Sequence, residues 1–161
     1  YFQYAEKLKF DIVKLKTDYG VIDLDILREN IKGASAIIYS NPAGYYAEQN
    51  VKEIYEICKK NNILVILDIS GCIGSDFYNG NCADMIVCSF GRWKPVNLGY
   101  SGFISFNDYN FINKNIFQNL KFDEKYRPLL LEKLINLKKR YTFYGDINKK
   151  IKLELKQLEL E

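Results

Sequence analysis

The sequence predicts an α/β fold: a mostly parallel sheet with helices on both faces, in three layers. Three observations carry that expectation. First, three apolar runs each stop at a polar residue. Ala36-Ile37-Ile38-Tyr39 runs into Ser40-Asn41-Pro42, Ile63-Leu64-Val65-Ile66-Leu67 into Asp68, and Met85-Ile86-Val87-Cys88 into Ser89. Short runs with β-branched residues mark buried parallel strands. Second, a helical pattern separates the first two runs, with Ala47, Val51, Ile54, Tyr55 and Cys58 on one face. Strands alternating with helices build a parallel sheet. Third, a lone lysine, Lys94, comes five residues after Ser89. Ligands of such sheets bind outside the carboxyl ends of the strands. Asn41, Asp68, Ser89 and Lys94 are therefore expected at one edge, where a carboxylate and an amine suggest chemistry rather than packing.

The elements follow in order. Residues 1–9 read as a helix end, with Tyr4, Ala5 and Leu8 on one side. Residues 11–16 alternate apolar and polar and suit a strand. Tyr19-Gly20 marks a turn. Asp23 is a plausible N-cap for a helix over 24–32, with Leu24, Leu27 and Ile31 at helical spacing, and Gly33 suits its end. After the strand at 36–40, the helix is expected over 45–60; Lys59 and Lys60 complement its dipole and Asn61-Asn62 can stop it. Strands at 63–68 and 84–89 come next, separated by a loop with Gly71, Gly74, Asn79 and Gly80. A turn at 99–102 leads into a strand at 102–106 that returns antiparallel. A short helix is expected over 108–120. A long one begins at Pro128, with Leu130, Leu131, Leu134 and Leu137 on its apolar side, and helix continues to about 156 among good helix formers.

Composition bounds the function. At 161 residues the chain is long enough for one domain with a core. A net charge of +3 is too small to argue for nucleic acid, and no apolar span is long enough for a membrane. Histidine is absent, which removes the commonest general base and metal ligand. Cys58, Cys72, Cys82 and Cys88 form no C-x-x-C pair, so no zinc site is expected, and free thiols fit a reducing cytoplasm. Cys58 and Cys88 read as small core residues, and Cys72 as a free buried thiol. The chain begins at Tyr1 inside a helical pattern and ends in a charged, Leu-rich stretch. It reads as a piece of a longer protein.

Ser40-Asn41-Pro42-Ala43-Gly44 opens the helical region, Leu67-Asp68-Ile69-Ser70-Gly71 closes the second strand, and Ser89-Phe90-Gly91-Arg92-Trp93-Lys94 closes the third. A Gly99-Tyr100-Ser101-Gly102 turn follows. In this order, roughly from Phe10 to Phe106, the motifs resemble the large domain of fold type I pyridoxal-phosphate enzymes, the aspartate aminotransferase superfamily. The serine-phenylalanine pair with a lysine five residues on is most similar to the DegT/DnrJ/EryC1 sugar-aminotransferase branch.

The resemblance implies pyridoxal 5′-phosphate as cofactor and an aminotransferase as the full-length activity. Lys94 would hold the cofactor aldehyde as a Schiff base and move a proton. Asp68 would keep the pyridine nitrogen protonated, so that the ring acts as an electron sink. Asn41 would hydrogen-bond the ring oxygen and Ser89 would reach the phosphate. The resemblance further implies small-molecule amino donors and acceptors, and a homodimer. Residues 1–161 would be a partial cofactor-binding domain, inactive alone, without its N-terminal segment and its C-terminal small domain. Gly71 departs from the family, since many sugar aminotransferases carry a polar side chain there. Two other readings compete: a lyase or desulfurase of the same superfamily, and a cofactor-free interaction remnant of the fold. Trp93 is expected to pack as an anchor beside the loop, and Arg92 to be exposed.

Overall fold

In the computed structural model, the structure describes residues 2–44, 47–77, 80–108, 117 and 119–157. Helix α1 spans Phe2–Lys7. A short antiparallel hairpin follows, β1 (Thr17–Asp18) and β2 (Val21–Ile22). Residues 11–16, expected as a strand, form none. Their alternation has no partner to satisfy it, and Val13 is 66% exposed. Helix α2 (Leu24–Asn30) starts where Asp23 predicts. The Asp23 carboxylate accepts the N–H groups of Asp25 (2.8 Å) and Ile26 (3.2 Å). Gly33 takes φ +81° shortly after the helix ends, a conformation that costs glycine little.

The main sheet holds β3 (Ala36–Ser40), β4 (Leu64–Asp68), β5 (Met85–Ser89) and β6 (Gly102–Phe106), in that spatial order. The first three run parallel and β6 returns antiparallel, as the sequence predicts. Helix α3 (Val51–Lys60) crosses between β3 and β4. Its Ile54, Ile57 and Cys58 share the core with Tyr39, Val65, Leu67, Ile86 and Cys88, which lie on one face of the sheet. Each such large side chain contributes about 1.5–3 kcal/mol on burial. The opposite face is covered less completely. Ile38 and Ile104 there are each 44% exposed, and Ile66 and Val87 are half-buried.

Helix α3 begins later than its apolar pattern predicts. Ala47 and Gln49 are buried, but ahead of the helix: Ala43 and Ala47 exchange both backbone hydrogen bonds, at 2.8 and 3.1 Å. The helix expected over 108–120 lies largely outside the described residues. The long C-terminal helix is two helices, α4 (Arg127–Ile135) and α5 (Leu137–Gln157). Asn136 separates them, its side-chain amide and its backbone N–H both donating to the Glu132 carbonyl. Of the expected apolar stripe, only Leu137 is buried; Leu131 and Leu134 are exposed. No helix among the described residues is long and apolar enough to cross a membrane.

Candidate cofactor site at the strand ends

The parallel register brings the three strand ends together. Ser40 pairs with Asp68, and Asp68 with Val87. The ladder continues just past β3 and β4, since Asn41 N donates to the Asp68 carbonyl and Ile69 N to the Val87 carbonyl, both at 3.0 Å. Asn41, Asp68 and Ser89 thus lie along one rim. Two of them also end their own strands. The Asp68 carboxylate takes the N–H of Ser70 through Oδ1 at 2.7 Å, and the Ser89 hydroxyl takes that of Gly91 at 3.1 Å. These two-residue side-chain turns divert the backbone from the ladder.

Asn41 is a buried hub, 1% exposed and joined to Pro42 by a cis peptide bond. Its Oδ1 accepts the Gln49 N–H at 2.9 Å and its Nδ2 donates to the Phe77 carbonyl at 2.8 Å. Gln49 carries the network on to the hairpin, accepting Ile22 N at 3.0 Å and donating to the Gly20 carbonyl at 2.7 Å. An amide nitrogen has two hydrogens, and among the described residues Asn41 Nδ2 donates only to Phe77. Gln49 gave no signal in the sequence, where it falls inside a helical pattern.

Lys94 sits on a closed loop. Phe90 N donates to the Ser101 carbonyl at 3.0 Å, and Leu98 N and Gly99 N both donate to the Phe90 carbonyl at 2.9 Å. Within the loop, Lys94 N reaches the Gly91 carbonyl at 3.3 Å. Gly102 lets β6 return this close: a Cβ there would stand 2.2 Å from the Cys88 carbonyl oxygen. Trp93 is no anchor. It is 87% exposed at φ +69°, its N–H held by Asn97 Oδ1 at 3.2 Å. The loop closes through backbone bonds and leaves this side chain in solvent. Arg92 is exposed, as expected. A cavity of about 360 Å³ opens beside Arg92, Trp93, Asn97, Leu98 and Gly99. Asn41, Asp68, Ser89 and Lys94 do not line it.

Among the described residues no ion pair joins Lys94 to Asp68 directly. Their charges meet at a third group. Burial pushes the Cys88 thiol up to about 12, the charges of Asp68 and Cys72 reinforce the shift, and Lys94 opposes it. Burial, and then Asp68, likewise raises Cys72 to about 12, and its thiol donates to the Asn41 carbonyl at 2.8 Å. Both sulfurs are protonated near neutral pH and poor nucleophiles. All four cysteines are free and buried.

This donor set fits pyridoxal phosphate. Asp68 Oδ2, without a partner among the described residues, would take a cationic ring nitrogen, Asn41 a ring oxygen, the Ser89 O–H a phosphate, and the Lys94 amine an aldehyde. The fold defines the class: a large-domain sheet of the pyridoxal-phosphate-dependent transferase type. The PLP-bound C-S lyase from Staphylococcus hominis aligns at TM-score 0.67, with 15% identity over 98% of this chain and 45% of its own. The SepCysS of a SepCysS-SepCysE N-terminal domain complex aligns at 0.64, with 20% identity over 98% and 49%. A cysteine desulfurase from Thermococcus onnurineus NA1 aligns at 0.54, with 19% identity over 68% and 28%. At such identities the likeness is one of fold. The chain spans less than half the length of each of these proteins. No curated protein matches it in sequence. Residues 8–127 match the DegT/DnrJ/EryC1/StrS aminotransferase family, and the chain belongs to it. Membership indicates pyridoxal phosphate as the cofactor.

Proposed function

We propose that the full-length protein is a pyridoxal-phosphate-dependent aminotransferase acting on small amino donors and acceptors. The chain described here is the central part of its large domain, and the whole protein works as a homodimer. The observation that carries the reading is the register of β3, β4 and β5, which aligns Asn41, Asp68 and Ser89 on one rim beside the Lys94 loop. When bound, the cofactor supplies an electron sink for bonds at the substrate α-carbon. The protein's part is positional. Lys94 offers the amine that attaches the cofactor and carries a proton. Asp68, oriented by Ser70 N, holds the charge on the ring nitrogen. Asn41, held by Gln49 N and the Phe77 carbonyl, fixes the ring oxygen, and Ser89 presents its hydroxyl to the phosphate.

A lyase or desulfurase is the competing reading, since solved neighbours are a C-S lyase and a cysteine desulfurase. A desulfurase needs a mobile catalytic cysteine, and the four thiols here are buried. Borohydride reduction of the full-length protein with pyridoxal phosphate, followed by peptide mass spectrometry, is expected to mark Lys94. A mark on another lysine overturns the site. Release of sulfide from cysteine, without amino transfer to a 2-oxo acid, overturns the reaction type.

A further inference from the structure

Ser70 has no place in the site as the sequence presents it, yet it repairs a gap in the sheet beneath that site. In a parallel ladder, a residue that donates its N–H to residue j of the neighbouring strand offers its carbonyl to the N–H of residue j+2. Ile69 N donates to the Val87 carbonyl at 3.0 Å. The Ile69 carbonyl is therefore the regular acceptor for Ser89 N. It is already taken, by Cys72 N and Ile73 N, both at 3.0 Å, because the chain turns sharply after Ile69. Ser89 N donates instead to the Ser70 hydroxyl, at 2.7 Å. Ser70 is 4% exposed, and its own N–H orients the Asp68 carboxylate at 2.7 Å. One residue thus ties the end of β5 to the turn that aims Asp68.

We propose that Ser70 is a positioning residue, whose hydroxyl replaces a missing ladder carbonyl and so sets Ser89 to receive the phosphate of the cofactor. The proposal rests on the reading of Ser89 given above. Without that oxygen, Ser89 N loses its protein acceptor and the turn after β5 is free to shift. An unsatisfied, part-buried donor weakens whatever depends on its place.

The test uses the full-length protein and two ligands, pyridoxal phosphate and pyridoxal, which differ only in the phosphate. Ser70→Ala is expected to weaken pyridoxal phosphate about tenfold and to leave pyridoxal nearly unchanged. Ser70→Thr, which keeps an oxygen at this position, is expected to restore the difference. Amide exchange at Ser89 in the cofactor-free protein reads the hydrogen bond itself. It should quicken about tenfold in Ser70→Ala and stay slow in Ser70→Thr. Equal loss of both ligands in Ser70→Ala, or no loss of either, overturns the proposal and leaves the Lys94 attachment standing. A wild-type protein that binds both ligands equally overturns the role of Ser89 itself, and the proposal with it.

Discussion

Two aspartates occupy opposite edges of the same sheet, and their surroundings separate structure from chemistry. Asp84 stands just before β5, at the amino edge, and is 7% exposed. Both of its oxygens are engaged: Oδ1 takes Lys59 Nζ at 2.8 Å and Oδ2 takes Val65 N at 2.8 Å. Its backbone is tied as well, N to the Val65 carbonyl at 2.9 Å and carbonyl to Asn107 N at 3.0 Å. Asp68 ends β4 at the carboxyl edge, half-buried, and spends Oδ1 on Ser70 N. Lys59 is paired with Asp84, whereas Lys94 pairs with no carboxylate among the described residues. A carboxylate with both oxygens engaged is a fastener. One with a single oxygen engaged among the described residues, at a strand end, has capacity for a ligand.

The sharpest way to break this contrast is to neutralise each aspartate in the full-length protein. Asp68→Asn is expected to lower amino transfer by about 10²–10³-fold while moving the melting temperature by less than about 2 °C. Steady-state kinetics and thermal denaturation of the same samples check it. A variant that loses stability and keeps its rate would make Asp68 a second fastener and dissolve the contrast.

The amino edge should respond in the reverse sense. Asp84→Ala removes the acceptor of Val65 N and the partner of Lys59. Because Lys59 is 41% exposed and finds water readily, the loss is expected to be about 2 kcal/mol, well below that of a fully buried pair. That corresponds to a fall of about 4–8 °C in melting temperature. Borohydride labelling of Lys94 should be unchanged. Loss of labelling at full stability would show that the two edges are coupled.

The same contrast explains what was legible in the sequence. The parallel strands were, because an apolar run that stops at Asp68 or Ser89 carries its own end signal in the side-chain turn that breaks the ladder. The antiparallel return was too, since Gly99 and Gly102 bracket the turn into it. Residues 11–16 misled because alternation alone supplies no partner strand. The early start expected for α3 misled for another reason. Ala47 fits a helical face by burial, but its backbone pairs with Ala43. Asn41, Asp68, Ser89 and Lys94 stood out in the sequence by their place at strand ends and in motifs, whereas Gln49 and Ser70, whose side chains bond backbone groups, carried no such signal. Their roles depend on which backbone groups the register leaves unpaired, and register is a tertiary fact. Trp93 failed similarly: an aromatic beside a loop reads as an anchor only until the loop is seen to close on its own backbone.

The smallest effect isolates the fastener's charge. The hydrogen bond to Asp84 is the main cause raising the Lys59 pKa above its ordinary value, with burial opposing. In the unfolded chain lysine loses its proton near pH 10.4. Below that, both states are charged and the pair contributes in full. As pH rises further, the unfolded state releases its proton first and the folded state keeps it. The contribution of the pair therefore falls until pH has passed the folded value. A pair whose lysine is this exposed contributes under about 1 kcal/mol. The half-buried Tyr141 and the buried Cys72 titrate in the same range, since burial raises both. The readout must therefore be a difference. Wild type should exceed Lys59→Met in denaturant-measured stability at pH 8, and the gap should narrow as pH rises beyond about 10.4. A gap that is constant across that range would mean that the lysine acts through its aliphatic stem, and that the amino edge is held by Asp84 and Val65 alone.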